Sequence, residues 1–146
     1  MGILTNKPNF SNLLKHKGLK VTKHRNSVLE VIQSSKRPVT AEDIYIVLKQ
    51  KDISINLSSI YRILDTLAAN SLINKFIFEE TNKTCYEMND MQHKHYLICN
   101  NCKKLFPISG CPLHSYEAEL VDNLDFTITS HKLEIYGYCK DCKNKF

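Results

Sequence analysis

Two Cys-x-x-Cys motifs in the last third of the sequence restrict the fold of this chain more strongly than any other feature. They are Cys99/Cys102 and Cys139/Cys142, separated by 36 residues. Each motif places two thiolates on one tight turn, and two such turns can complete a tetrahedral zinc site with Zn–S bonds of roughly 2.3 Å. We therefore predict structural zinc at these four cysteines, which would join the two ends of the C-terminal segment.

The cysteines have two other interpretations, as disulfide bonds or as reduced thiols in a core. Disulfide-rich chains are typically small and secreted, and residues 1–10 lack the charged and apolar segments of a secretion signal. No apolar run approaches the roughly 20 residues that span a bilayer. We expect a cytoplasmic protein with no membrane partner, in which the unpaired Cys85 and Cys111 are small apolar residues.

Positive charge is concentrated at the N-terminal end of the chain. The 146 residues carry a formal net charge of +5, and residues 1–37 contain eight Lys or Arg residues and one acidic residue, Glu30. Such a bias is typical of a protein that approaches nucleic-acid phosphates, although a lysine-rich surface can also be merely solvated. Charge alone leaves both interpretations open.

The N-terminal half has the pattern of three helices followed by a β-hairpin. Apolar residues recur at helical spacing in the helical segments, and β-type residues flank a polar turn in the hairpin. The helical segments are 22–33, 40–51 and 56–71, and the strands are 74–79 and 84–88. This order predicts a winged helix-turn-helix domain, which we place at residues 1–89.

The third helical segment is the candidate recognition helix, which in such domains lies in the major groove of DNA. Its apolar residues share one face, and its other side offers the small Ser58 and Ser59 beside Tyr61 and Arg62. Small side chains allow close approach to the DNA backbone, so these four residues are candidate DNA contacts. The competing interpretation is an ordinary core helix with a solvated polar face.

Residues 90–146 predict a small α/β domain around the zinc site. The expected strands are 96–99 and 105–108, with one or two more in 126–138, and the expected helix is 112–123. With the winged helix before it, the chain is predicted to be an α+β protein of two domains.

Four histidines in this second domain form a candidate second metal site. His93 and His95 project from one face if their segment is extended, His131 begins an alternating run, and His114 lies in the first turn of the helix. Four imidazoles suit zinc, copper, nickel or iron, and they leave no open position for a substrate water. The pattern favours metal sensing over hydrolysis, although four unrelated histidines remain an alternative.

The sequence as a whole resembles the ferric uptake regulator (Fur) superfamily of bacterial metal-responsive repressors. The resemblance is carried by residues 18–22, 40–45, 59–64, 93–102 and 131–139, which occur in the order of the family's motifs. It implies an N-terminal winged helix, a C-terminal dimerisation domain and a homodimer that binds a palindromic AT-rich operator in double-stranded DNA. It also implies that Lys20 enters the minor groove and that Tyr61 and Arg62 contact bases or phosphates.

One sensory metal site of the family looks complete by this resemblance. His93 and His95 match the family's His-x-Asp/His pair, His131 matches its later histidine, and His114 stands where a glutamate is usual. The site is therefore expected to be rich in histidine and to hold the regulatory ion, either Zn²⁺ or Fe²⁺.

A second sensory site of the family looks dismantled. Pro38, Tyr96 and Pro107 occupy the positions of its ligands, and only Glu87 remains. Because the family's peroxide sensors use that site for iron-catalysed histidine oxidation, this chain is not expected to be a peroxide sensor.

We therefore predict a dimeric, metal-dependent transcriptional repressor of metal homeostasis that responds to zinc. Replacing a carboxylate by an imidazole makes the regulatory site softer, which favours zinc over iron. An iron-responsive regulator of the same family is the alternative, and a zinc-ribbon module that binds only protein is a third interpretation. A zinc hydrolase would need an open metal position and a nearby general base, and the sequence indicates neither.

Overall fold

The computed structural model describes residues 9–78, 81–90 and 93–145 of the chain. The chain divides into two compact units, Met1–Asp90 and Met91–Phe146. The first unit is mainly helical with a β-hairpin, and the second is built on a three-stranded sheet. Within the described residues, no helix combines the length and the apolar character that crossing a membrane requires.

Helices make up most of the first unit. They are α1 Ser11–His16, α2 Lys23–Ser34, α3 Ala41–Gln50 and α4 Leu57–Ala69. The last three follow the helical segments expected from apolar periodicity. Their inward faces form one core with residues of both hairpin strands, and Leu29, Ile44 and Leu64 in this core are fully buried.

Local polar side chains fix the first residues of α3 and α4. Thr40 and Asp43 form a reciprocal capping box, in which the Thr40 N–H donates to Asp43 Oδ2 at 2.9 Å and the Asp43 N–H donates to Thr40 Oγ1 at 3.1 Å. Asn56 Oδ1 accepts the Ser59 N–H at 2.8 Å. Each cap of this kind contributes about 1 kcal/mol and fixes the residue at which its helix begins.

The short helix α1 is missing from the sequence prediction. Its six residues give too few turns for apolar periodicity to show, and so short a helix is not stable by itself. It is held because Phe10 and Leu14 are buried in the common core. Gly18, at φ +69°, ends it in a left-handed conformation, and the Leu19 N–H then donates to the Leu14 carbonyl at 2.9 Å.

A two-stranded antiparallel hairpin completes the first unit. Strand β1 Ile73–Phe78 pairs with β2 Lys83–Met88, in a register that sets Ile73 opposite Met88. The predicted first strand extends to Glu79, which lies outside the described residues. Three helices followed by a hairpin is the arrangement expected for a winged helix-turn-helix.

The second unit is a three-stranded sheet with one helix. The strands are β3 His95–Cys99, β4 Leu105–Ile108 and β5 Glu134–Gly137, and the helix is α5 His114–Leu124. The order in the sheet is β4-β3-β5, with β3 antiparallel to β4 and parallel to β5. The central strand β3 therefore positions side chains from both of its neighbours.

The strand prediction for residues 126–138 is too long. Within this range only Glu134–Gly137 form a strand, because only these four residues lie beside β3, from Tyr96 opposite Glu134 to Cys99 opposite Gly137. Residues 126–133 instead run as irregular chain that carries His131 toward the other histidines.

Candidate metal centres and DNA-binding surface

The four paired cysteines come together in one cluster at the end of the sheet. Their Sγ atoms all lie within 4.8 Å of one another, with Cys99 and Cys142 buried and Cys102 and Cys139 half-buried. The Cys102 and Cys139 sulfurs are 3.7 Å apart. A tetrahedral zinc ion with Zn–S bonds of about 2.3 Å has an S···S edge of about 3.8 Å. The cluster thus has the donor atoms and the spacing of a closed Cys₄ zinc site.

Hydrogen bonds to its sulfur favour the thiolate at Cys99, whereas burial raises the pKa of the neighbouring Cys139 to about 11. The Cys139 N–H donates to Cys99 Sγ at 3.4 Å, and the Asn101 side-chain amide donates to Cys142 Sγ at 3.2 Å. The N–H groups of Cys139, Cys102 and Asn101 lower the pKa of Cys99 from 9.0 to about 6. None of the six cysteines forms a disulfide bond in this structure, which argues against the disulfide interpretation.

A second cluster contains three of the four predicted histidines and one cysteine. Ligand atoms of His93, His95, His131 and Cys111 all lie within 4.8 Å of one another. His131 Nε2 is 3.0 Å from His95 Nε2 and 3.3 Å from Cys111 Sγ, and Cys111 Sγ is also 3.3 Å from His95 Nε2. His93 Nε2 lies 2.5 Å from His131 Nε2. Four donor atoms from separate parts of the unit therefore converge on one point.

The other sides of two rings are held by groups outside this convergence. His131 Nδ1 contacts the Glu117 carboxylate, and the His95 ring donates a hydrogen bond to the Leu133 backbone carbonyl. A donated Nδ1–H leaves the lone pair of His131 on Nε2, the atom that faces the cluster. Carboxylates and carbonyls that orient histidine rings in this way are characteristic of metal sites.

Burial keeps His95 in its neutral, ligating form. The residue is 2% exposed, and this burial, with repulsion from His93 and His131, lowers its pKa below the ordinary 6.5. A neutral imidazole is the form that binds metal ions. The ring is therefore ready to bind a metal ion at neutral pH.

His114 does not belong to the converging group. It is the first residue of α5, is exposed, and lines a cavity of about 480 Å³ together with His93, Cys111, Glu117 and His131. The structure thus places it beside the cluster, while Cys111 lies within it. Our interpretation of Cys111 as a small apolar residue is corrected, because its sulfur is in contact with two histidine nitrogens.

Strand pairing explains why sequence reasoning missed Cys111. His95 lies opposite Ile108 in the antiparallel β3–β4 pair, so the chain that leaves β4 runs beside the chain that enters β3. The chain then bends at residues 109–110, with Gly110 at φ +73°, and this brings Cys111 next to His95. The available sequence signal was an unpaired cysteine between two predicted elements. Only the strand pairing shows that this cysteine lies near the histidines.

The second sensory site expected to be lost has no counterpart among the described clusters. Tyr96 is buried opposite Pro107 in the β3–β4 pair, and the prolines at 38 and 107 carry no side-chain donor. Glu87 lies in β2, in neither group of candidate metal ligands that the described residues form.

The predicted DNA contacts lie on and near α4 in the first unit. Ser58, Tyr61 and Arg62 are exposed on α4, Ser59 is half-buried at its N-terminal end, and Lys20 is exposed between α1 and α2. Four of the five side chains are thus accessible to a partner.

A hydrogen bond between helices orients Tyr61. Its hydroxyl donates to Glu42 Oε1 at 2.7 Å, which raises the pKa of Tyr61 to about 12 and lowers that of Glu42. The bond connects the start of α3 to α4, the two helices of the helix-turn-helix. The bond therefore favours one orientation of Tyr61 and its neutral phenol form.

Large apolar side chains are exposed on the second unit of the single chain. Leu97, Ile135, Tyr136 and Tyr138 are between 39% and 53% exposed, and with Phe106 they border a cavity of about 400 Å³. Exposed apolar side chains grouped around one cavity are typical of a protein–protein interface.

Comparison with known proteins agrees with this geometry. Residues 16–136 match the Ferric uptake regulator family. The ferric uptake regulation protein of Bordetella parapertussis is 31% identical over 131 residues, which cover 89% of this chain and 94% of that protein.

Solved structures of regulators from this family share the fold. The Vibrio cholerae ferric uptake regulator, whose DNA-binding domains are described as rearranged, has a TM-score of 0.78 and 28% identity, with 90% of this chain and all of that chain covered. The Helicobacter pylori ferric uptake regulator, described as having three functional metal-binding sites, also has a TM-score of 0.78, with 27% identity and 92% and 89% covered.

These matches confirm the predicted α+β architecture, in which a winged-helix DNA-binding domain precedes a dimerisation domain with a Cys₄ cluster. Because the matched proteins are regulators and not enzymes, the hydrolase interpretation is wrong. The chain has two converging ligand clusters and a helix-turn-helix, and the family model matches residues 16–136. The chain therefore belongs to the ferric uptake regulator family of metal-binding, DNA-binding transcription regulators.

Proposed function

We propose that this protein is a homodimeric repressor that binds operator DNA when a regulatory zinc ion occupies the histidine cluster. The observation that carries the proposal is the presence of two different ligand clusters in one small unit. Four cysteines suit a permanent, closed zinc site, whereas the more accessible histidine cluster suits an ion that exchanges with the surroundings. The first would hold the fold, and the second would report metal supply.

The regulatory ion is proposed to bind His93, His95 and His131. His114, which the sequence suggested as the fourth ligand, borders the same cavity and would have to turn toward the cluster to take part. Imidazole donors are softer than the oxygen donors that suit Mn²⁺, and this supports zinc. A regulator that responds to Fe²⁺ is the second candidate, because imidazole also binds iron and the matched relatives are named for ferric uptake.

DNA is proposed to bind through Lys20, Ser58, Ser59, Tyr61 and Arg62, with α4 in the major groove and Lys20 in the minor groove. A twofold-symmetric dimer would present two copies of α4, so its operator would be a palindrome, which we expect to be AT-rich. The fixed orientation of Tyr61 by Glu42 supports this assignment, because a preorganised side chain loses less entropy on binding.

The dimer is proposed to form through the exposed apolar face of the second unit, which includes Leu97, Ile135 and Tyr138. His93 and His95 begin this unit, directly after the residues that connect it to the DNA-binding unit. An ion that ties these two histidines to His131 would fix the direction in which the connection leaves. In the dimer this would set the spacing of the two α4 helices, which must match about 34–36 Å or a multiple.

The test is an operator titration with the metal varied. Anaerobic protein that retains its structural zinc is titrated onto an AT-rich palindromic duplex with Zn²⁺, Fe²⁺, Mn²⁺ or no added ion. We expect Zn²⁺ to tighten binding by about 100-fold, which is about 2.7 kcal/mol and within the usual range of allosteric coupling. Equal binding with and without every ion would refute the proposal, and activation by Fe²⁺ alone would establish the iron-responsive alternative.

A further inference from the structure

We propose that the Cys111 thiolate is the fourth ligand of the regulatory ion, so that the site is His₃Cys and selects thiophilic divalent cations, with zinc foremost. This inference rests on the proposed function, because it concerns the ion that switches the repressor. It assigns a role to a cysteine that the sequence pattern left without one, and it gives a chemical reason for metal selectivity.

The distances around Cys111 support coordination. Its Sγ is 3.3 Å from both His95 Nε2 and His131 Nε2, and these two nitrogens are 3.0 Å apart. A tetrahedral ion with bonds of about 2.0–2.1 Å to nitrogen and 2.3 Å to sulfur has N···N edges of about 3.3 Å and N···S edges of about 3.6 Å. Three of the donor atoms thus lie within a few tenths of an ångström of the triangle that such an ion requires.

His93 supplies the remaining donor with a larger adjustment. Its Nε2 is 2.5 Å from His131 Nε2, which is shorter than the N···N edge of about 3.3 Å between two ligands of one tetrahedral ion. His93 is exposed, so its ring can move outward with little loss of packing. The buried His95 and the half-buried Cys111 and His131 form the more rigid part of the site.

Hydrogen bonding alone does not account for these contacts. When Nδ1 carries the proton on both rings, the Nε2 atoms of His95 and His131 that face Cys111 Sγ both carry lone pairs, and a thiol can donate its one hydrogen to only one of them. His131 Nε2 has a single lone pair when Nδ1 carries the proton toward Glu117, yet it faces His93, His95 and Cys111. One cation at the centre of the group would engage all of these lone pairs at once.

Position in the fold favours Cys111 over His114 as the fourth ligand. The β3–β4 pair ends with Ile108 opposite His95, and after a bend at residues 109–110 the Cys111 sulfur lies in contact with His95 and His131. His114 begins α5 and is exposed, and the same helix supplies Glu117 to orient the His131 ring. The His114 side chain lines the adjoining cavity with Glu117, and its ligand atoms are outside the converging group.

A thiolate changes which ions the site prefers. Sulfur ligands favour Zn²⁺ and similar soft or borderline ions over Mn²⁺ and Fe²⁺, which prefer oxygen and nitrogen. A His₃Cys set also closes a tetrahedral site, with no position for a reactive water. The chemistry therefore suits reversible zinc recognition without metal-based catalysis.

Cobalt spectroscopy tests the assignment directly. The full-length dimer with zinc in its Cys₄ site is titrated anaerobically with Co²⁺, and retained zinc is measured by elemental analysis. We expect one Co²⁺ per chain to give tetrahedral d–d bands and a near-ultraviolet thiolate-to-cobalt charge-transfer band. Cys111→Ser should lose the charge-transfer band and keep the structural zinc, whereas the matched control Cys85→Ser, in the other unit, should keep both.

Two further measurements decide the identity of the ligand. His114→Ala should keep the charge-transfer band. In the wild type, bound Zn²⁺ should slow alkylation of Cys111 by at least about tenfold, as measured by peptide mass spectrometry. In competition titrations, Cys111→Ser should lose at least about tenfold in Zn²⁺ affinity and less in Mn²⁺ affinity.

Each contrary result has a defined meaning. Charge transfer that persists in Cys111→Ser, or tetrahedral bands without any charge transfer in the wild type, would overturn the cysteine ligand. If the wild type still bound operator in response to metal in that case, the proposed function would stand with another fourth ligand. Failure to bind any exchangeable ion, together with metal-independent DNA binding, would overturn both.

Discussion

Loss of one structural zinc ligand should unfold the second unit and leave the first intact. The change is Cys142→Ser, which removes a buried ligand that lies close to Cys139 and accepts a hydrogen bond from Asn101. The two units have separate cores, and the large cluster of buried apolar residues belongs to the first. The second unit therefore depends on its metal far more than the first does.

The magnitude follows from how little apolar surface the second unit buries. Apart from cysteines, its buried hydrophobic residues among those described are Tyr96, Ile98 and Leu105. At about 2 kcal/mol each they contribute about 6 kcal/mol, against about 10–16 kcal/mol for a structural zinc site. Even a variant that loses only about 4 kcal/mol of unit stability should exchange its protected amides about 1,000-fold faster.

Hydrogen exchange with mass spectrometry measures this effect unit by unit. In Cys142→Ser we expect β3, β4 and β5 to exchange rapidly while α2, α3 and α4 keep wild-type protection, and sedimentation should show loss of the dimer. The control is Cys85→Ser, which alters a buried cysteine outside the cluster and should keep its zinc. A Cys142→Ser protein that lacked the zinc but kept wild-type protection in all three strands would refute the structural role.

Three further outcomes test the regulatory and DNA-binding assignments. Lys20→Ala and Arg62→Ala should each weaken operator binding and reduce the slope of log affinity against log salt by about one, without changing the metal content. If both variants bound the operator with wild-type affinity, the proposed DNA-binding face would be wrong. His95→Ala and His131→Ala should keep the structural zinc and the dimer but lose metal-activated operator binding, so a wild-type metal response in either would place the switch elsewhere. Metal activation should also weaken as the pH falls below about 6.5, because protons compete for the imidazoles. The metal-free protein should lose stability over the same pH range. The pKa of His95 is lowered in the folded chain, so the unfolded chain takes up a proton at this residue more readily than the folded chain does. Operator titration and denaturant unfolding between pH 5.5 and 7.5, on the order of one unit either side of the imidazole pKa, measure both effects, and flat profiles would contradict them.

The sequence alone determined those features that depend on neighbouring residues. The first residues of α3 and α4 follow from Thr40 with Asp43 and from Asn56, because a cap needs only its own first turn. The Cys₄ cluster follows from two Cys-x-x-Cys turns, each of which arranges its pair of sulfurs locally. Spacing thus predicted each pair of sulfurs, and the β3–β5 pairing, which sets Cys99 opposite Gly137, brings the two pairs together.

Tertiary structure decided the features that depend on residues far apart in sequence. Helix α1 exists because Phe10 and Leu14 find a core to pack into, and the predicted strand at 126–138 shortens to Glu134–Gly137 because only that segment lies beside β3. The membership of the second cluster was decided in the same way. Helical position suggested His114, but the β3–β4 pair and the bend that follows Ile108 bring Cys111 to His95. Strand pairing joins residues that are far apart in sequence, and local sequence pattern carries no information about such contacts.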